Sequence, residues 1–259
     1  MDLKLKGKTA IVTGGTAGIG LAIVRAFLAE GVKVSVPGRT QKKLDDAFDK
    51  EGLPVTKIVA DAGTAEGAAA VIAAVPETDI LVNNLGIYEA KAFAEIPDED
   101  WLKLFEVNVL SGVRLSRHYF PMMLAKNSGR VIFISSESGI MTPPEMVHYG
   151  VTKSSQLAIS RGLAELTKGT AVTVNTVMPG PTRSEGIVEF LQSMSSKKGA
   201  TPEEAEKEFF EKHRQSSLLQ RLIEDSEIAN LVAYVASPLS AATNGAALRA
   251  EGGLLRSIA

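Results

Sequence analysis

Tyr149 and Lys153 stand four residues apart in the run Tyr149-Gly150-Val151-Thr152-Lys153. On a helix, that spacing puts both side chains on one face. An ammonium beside a phenol favours the phenolate and so lowers the tyrosine pKa. A phenol tuned in this way exchanges a proton with a substrate oxygen near neutral pH. Lys153 is also placed to hold a ribose hydroxyl. Ser136 closes an apolar run earlier in the chain and can donate to the same oxygen; Ser135 is its rival for that role.

A second constellation lies in Thr9 to Gly20, TAIVTGGTAGIG. The apolar Ala10-Ile11-Val12 reads as a buried strand, the glycines as a turn, and Leu21 to Glu30 as a helix. Strand, glycine turn and helix in that order form the phosphate cradle of a dinucleotide-binding unit. Gly14 turns the chain at the strand end, Gly18 lets amides approach a pyrophosphate, and Gly20 lets the helix pack closely. The open N–H groups and the positive dipole end of the helix then hold the phosphate charge.

These two constellations need a sheet to bring them together, and the chain alternates in a way that supplies one. Strand-like runs fall at 33–36, 55–60, 79–82, 130–134, 172–177 and 246–249. Helix-like runs fall at 40–51, 65–75, 98–126, 149–168 and 226–236. Such alternation predicts an α/β fold, a doubly wound parallel sheet of Rossmann type with helices on both faces. No linker divides residues 1–259, so one dinucleotide-binding catalytic domain is expected. The segment 183–225 contains no strand. It offers a helix near 186–194, a polar hinge, and a charged run from Pro202 to Arg214 whose start, Thr201-Pro202, reads as an N-cap followed by proline. An insertion of this kind predicts a helical substrate lid.

Ligands of open α/β sheets bind beyond the carboxyl ends of the strands. After the second strand comes Arg39, with no acidic residue to take a ribose 2′-hydroxyl. Arg39 suits a 2′-phosphate, which predicts NADP(H) rather than NAD(H). Asp61 follows the third strand, placed either for the adenine amino group or as the cap of the next helix. Asn83-Asn84-Leu85-Gly86 follows the fourth, Ser135-Ser136 the fifth, and Pro179-Gly180-Pro181-Thr182 the sixth.

Bulk properties narrow the remaining classes. The chain has 259 residues, 45% of them hydrophobic, with a net charge of −2. That is enough for a sizeable core, and no basic block points to nucleic acid. There is no cysteine, and the histidines at 118, 148 and 213 have no metal-ligand spacing. No apolar run is long enough to span a membrane, and the N-terminus has no signal-peptide stretch. A soluble cytoplasmic protein is expected.

The motifs TGGTAGIG (13–20), NNLG (83–86), VNV around Asn108, ISSESG (134–139), YGVTK (149–153) and PGPT (179–182) together resemble the short-chain dehydrogenase/reductase family, in its compact single-domain branch. The resemblance covers nearly the whole chain. It implies about seven strands in the order 3-2-1-4-5-6-7. It makes Tyr149 the acid–base, Lys153 its partner, Ser136 the residue that polarises the carbonyl, and Asn108 the holder of a relay water. The implied cofactor site is Gly14, Thr16, Ala17, Gly18, Ile19, Arg39, Asp61, Ala62, Asn84, Gly86, Tyr149, Lys153, Pro179, Gly180 and Thr182, the last of them at the nicotinamide carboxamide. The reaction implied interconverts a carbonyl and a secondary alcohol on a small molecule, with a 3-oxoacyl thioester as one candidate. A homodimer or homotetramer through the two long helices is also implied. Substrate contacts are expected from Ser138, Met141, Ile187 and Phe190, with Glu137 and His148 nearby. Leu85, Ala17 and Glu251-Gly252-Gly253 depart from the family's usual residues. The alternative is a non-catalytic dinucleotide-binding sensor or scaffold, against which the retained serine, tyrosine and lysine count. Epimerase or dehydratase relatives carry a longer C-terminal domain than this chain has room for.

Overall fold

Short apolar runs bounded by glycine, proline or charge become the strands. They are β1 (Thr9–Val12), β2 (Lys33–Gly38), β3 (Thr56–Val59), β4 (Ile80–Asn83), β5 (Gly129–Ile134), β6 (Val172–Pro179) and β7 (Ala247–Ala250). The computed structural model describes residues 1–258, apart from the side chain of Glu185. All seven strands pair in parallel, in the order 3-2-1-4-5-6-7. The expected strand order is therefore the one observed. Every residue of β5 and β6 is buried, as parallel strands covered on both faces require.

Alternate side chains feed two cores. On one face, Val12, Val82 and Ile132 join Phe27 of α1 (Gly18–Ala29), Leu44 and Phe48 of α2 (Gln41–Phe48), and Val232 near the chain end. On the other face, Ile11, Leu81 and Phe133 meet Val71 of α3 (Ala65–Ala74) and a cluster of Leu115, Tyr119 and Met123. The period of two along each strand separates the sets.

The region expected as one helix over 98–126 is interrupted. It divides into α4 (Asp98–Phe105) and α5 (Ser111–Lys126), with a π-helical turn at Glu106–Leu110. Such turns bulge one residue out of the usual ladder. Here the bulge frees the Asn108 carbonyl, which accepts from Gln156 Nε2 at 2.6 Å. Gln156 lies on α6 (Val147–Glu165), the helix that carries Tyr149 and Lys153.

The segment after β6 forms α7 (Glu185–Met194) and α8 (Pro202–Lys212), and the chain then returns to the sheet through α9 (Asp225–Ala236). Leu191, Ala205, Phe209, Phe210 and Leu222 make a third core within this segment. Thr201 caps α8 as expected, and Glu204 completes a capping box. Arg183 anchors the segment at its base. It bonds Glu206 at 2.9 Å and Glu224 at 3.0 Å.

Helix α1 starts against the glycine turn, and Gly20 fixes how closely. A Cβ at Gly20 would lie 2.2 Å from the Gly14 oxygen and 2.6 Å from Asn84 Nδ2. The close contact is with the turn rather than with the strand below it. Gly20→Ala should therefore push α1 off the turn. The expected result is a loss of about 3 kcal/mol or more in unfolding free energy, read by denaturant titration, together with weakened dinucleotide binding.

Candidate active site

The glycine turn is held by β4. Thr13 Oγ1 accepts from the amides of Asn84 and Leu85, both at 3.0 Å. Asn84 Nδ2 donates to the carbonyls of Thr13 at 2.9 Å and Gly14 at 3.2 Å. The Asn84 side chain thus braces the cradle. Gly14 and Gly18 both have positive φ, 64° and 49°, which only glycine adopts readily. Ala17 stands at the N-cap of α1 with no side-chain cap bond, and the first turn holds no acidic residue. The amides there remain open to an anion.

Arg39 is exposed just beyond β2, directly before Thr40, whose side chain caps α2 by accepting from the Lys43 amide at 3.2 Å. Among the described residues no side chain pairs with Arg39. Asp61 does not cap α3. That role belongs to Thr64, which accepts from the Gly67 amide at 3.0 Å. Asp61 Oδ1 instead accepts from the Gly63 amide at 3.0 Å, above the buried Ala62.

Sheet and α6 bring the second constellation beside this cradle. Lys153 is buried, and its ammonium donates to the Ile134 carbonyl at 2.9 Å and to Gln156 Oε1 at 3.2 Å. It lies 5.5 Å from the centre of the Tyr149 ring. Burial pulls the Lys153 pKa down to about 8. The Tyr149 phenol departs from expectation in the opposite direction. Burial first, then the charge of Glu137, push it above its ordinary value, and the Ser136 hydroxyl only partly offsets them. Desolvation dominates here.

The two serines separate clearly. Ser135 Oγ donates to the Lys153 carbonyl at 2.9 Å and is committed to holding α6. Ser136 Oγ bonds the Glu137 carboxylate and accepts from the Ser138 amide at 3.1 Å, at the mouth of the strand. Asn108 uses its side chain on the Ile87 backbone, at 2.8 and 2.9 Å, and on Thr152 at 3.0 Å. His148 is fully buried edge-on to Trp101, not at the surface, and takes no place in the cavity wall.

A cavity of about 230 Å³ joins these groups. Its walls include Ile19, Asn84, Gly86, Ser136, Tyr149, Lys153, Pro179, Gly180 and Thr182, as well as Ser138, Ile187 and Phe190. Met141, expected at the substrate, is outside this wall and 41% exposed on the loop after Gly139. Thr16, Gly18, Arg39 and Asp61 lie outside it too, along the glycine turn and the ends of β2 and β3. Tyr88, Met146, Phe209 and Arg214 line the cavity without having been singled out from the sequence. Gln156 belongs to the site as well, and its place one turn beyond Lys153 is the sequence signal for it. At the C-terminus, Glu251 accepts from the Leu254 and Leu255 amides, so the altered Glu-Gly-Gly run closes its own turn.

The family model described as short chain dehydrogenase matches residues 8–194. The chain belongs to the short-chain dehydrogenase/reductase family. The relatives described next are oxidoreductases. The chain is 50% identical to the uncharacterized oxidoreductase YvaG of Bacillus subtilis, over 100% of both chains. It is 29% identical to the 3-oxoacyl-[acyl-carrier-protein] reductase FabG of Vibrio cholerae, over 97% of this chain and 99% of the relative. Among solved structures, L-sorbose reductase from Gluconobacter frateurii, complexed with NADPH and L-sorbose, is similar with a TM-score of 0.92. The two are 27% identical over 100% of both chains.

Proposed function

We propose that the protein is an NADP(H)-dependent oxidoreductase that interconverts a carbonyl and a secondary alcohol, with Tyr149 as the acid–base. The carrying observation is the group of buried Ser136, half-buried Tyr149 and buried Lys153 opening into one cavity beside the glycine turn. The residues present fit the cofactor. Open amides at the start of α1 suit its pyrophosphate, Lys153 its ribose, Thr182 its carboxamide, and unpaired Arg39 its 2′-phosphate. The bound nicotinamide supplies the hydride. Tyr149 holds the proton for the substrate oxygen, and its raised pKa keeps that proton in place at neutral pH. Ser136 Oγ, whose hydrogen points to Glu137, turns it to the carbonyl oxygen when substrate binds and polarises the carbonyl. Asn108 and Gln156 hold Lys153 in register through the π-turn.

The NADPH-complexed L-sorbose reductase supports the choice of cofactor. Arg39→Ala should weaken NADPH binding by about 10- to 100-fold, the loss of one charge-assisted contact, and leave NADH binding nearly unchanged. Fluorescence titration of both cofactors reads this directly.

Residues 183–225 serve in this reading as the substrate lid of a single catalytic domain. Exposed Leu102, Phe105, Val151 and Leu166 on or beside α4 and α6 support a dimer or tetramer through those helices. A cytoplasmic location completes the proposal; among the described residues no helix is long and apolar enough to cross a membrane. The test is NADPH oxidation against simple ketones, ketoses and 3-oxoacyl thioesters, the last on the strength of the Vibrio cholerae relative. Turnover names the substrate. Cofactor binding without any turnover would favour a sensor or scaffold.

A further inference from the structure

The cavity wall holds a carboxylate and a guanidinium that proton and hydride transfer leave unused. Glu137 follows Ser136 directly and is only 5% exposed. Its Oε2 accepts from the Ser136 hydroxyl. Arg214 arrives from far along the chain, two residues past α8, with its side chain 10% exposed. Its Nη1 donates to the His213 carbonyl at 2.9 Å and lies 3.5 Å from Glu145 Oε1. Its guanidinium carbon sits 5.2 Å from the centre of the Phe209 ring. Its Nε is buried and has no hydrogen-bond partner. That atom lies 4.0 Å from Glu137 Oε1.

A gap of 4.0 Å is too long for a direct hydrogen bond. One oxygen at about 2.9 Å from each end spans it. The bridging oxygen must accept from Nε–H and donate to the carboxylate. A hydroxyl does both. A ketone or ether oxygen only accepts, an ammonium only donates, and a carboxylate or phosphate would face Glu137, with Glu145 close behind. We propose that Glu137 and Arg214 form a hydroxyl-binding subsite, and that the substrate is a hydroxy ketone. Glu137 is bonded to the serine that faces the carbonyl oxygen, so the hydroxyl belongs on the carbon next to the carbonyl or the one beyond it. The inference rests on the reductase reading above.

The experiment compares acetoin with butanone, the same skeleton without the hydroxyl, as substrates for NADPH-dependent reduction. The hydroxyl also activates the carbonyl chemically, so the decisive quantity is the kcat/KM ratio in variants relative to the wild type. Arg214→Met removes the donor and Glu137→Gln the anionic acceptor. Each should narrow the preference for acetoin by about 10- to 100-fold, with the loss concentrated in the KM for acetoin. NADPH fluorescence titration checks that each variant is folded, and either variant alone suffices. An unchanged ratio in a folded variant would overturn the subsite, as would equal turnover of the two ketones by the wild type, since the gap would then hold only water. No NADPH oxidation with either ketone, or with the wider panel, would overturn the reductase reading and the subsite together.

Discussion

Replacing Tyr149 by phenylalanine should lower kcat for carbonyl reduction by about 100- to 10,000-fold, the usual contribution of a positioned general acid. The change removes one oxygen and keeps the ring. That ring packs edge-on to Tyr88 at 6.3 Å between centres and beneath the Lys153 ammonium. The cavity should therefore keep its shape, and NADPH affinity should stay near the wild-type value. No neighbour is placed to replace the phenol. Ser135 is bonded to the helix backbone, Lys153 is held by Ile134 and Gln156, and His148 is buried against Trp101. Steady-state kinetics with fluorescence titration of the cofactor separates the two effects. Near-normal turnover by the variant would move the acid to another group, with Glu137 the first to test.

The raised tyrosine pKa was not legible from Tyr149 and Lys153 alone. Spacing on a helix reveals that two groups share a face, and that suggested mutual charge stabilisation. It does not reveal how far the pair is withdrawn from water, nor that Glu137 lies close by at the end of β5. Both effects raise the phenol's pKa. Strand order and the two-sided core were legible because short apolar runs with glycine or proline breaks leave few alternatives. The region 98–126 was different. Its composition suits a continuous helix, and the π-turn arises from tertiary contacts of Asn108 with Ile87, Thr152 and Gln156. Arg214 had no local signal at all. It reaches the cavity because α7 and α8 fold over Phe209 and Phe210 into a core of their own. Met141 shows the converse: nearness in sequence to Ser138 did not bring it to the wall, because the loop after Gly139 leads it outward.

Lys153→Met should abolish turnover and also change how stability depends on pH. The ammonium is buried, with the Ile134 carbonyl and Gln156 as its hydrogen-bond partners. Burial lowers its pKa from the ordinary 10.5 to about 8. Between those two values the unfolded chain binds the proton and the folded chain does not. Unfolding free energy therefore rises with pH across that window, and below about pH 8 the full penalty of the buried charge is in force. The displacement corresponds to about 3 kcal/mol, at about 1.4 kcal/mol per pH unit. Methionine has a similar length and no charge, so its variant lacks this dependence. Urea unfolding between pH 8 and pH 10 should show the wild type gaining on the variant by most of that amount. The comparison stops there because the buried Tyr119, with its pKa raised to about 12, adds its own dependence above the ordinary tyrosine value of 10.0. Parallel curves for the two proteins would mean that Lys153 keeps an ordinary pKa, solvated through the cavity. In that case the lysine would act on cofactor and phenol at no cost to the fold. A converging or crossing pair would show that the site holds its cation against the stability of the protein.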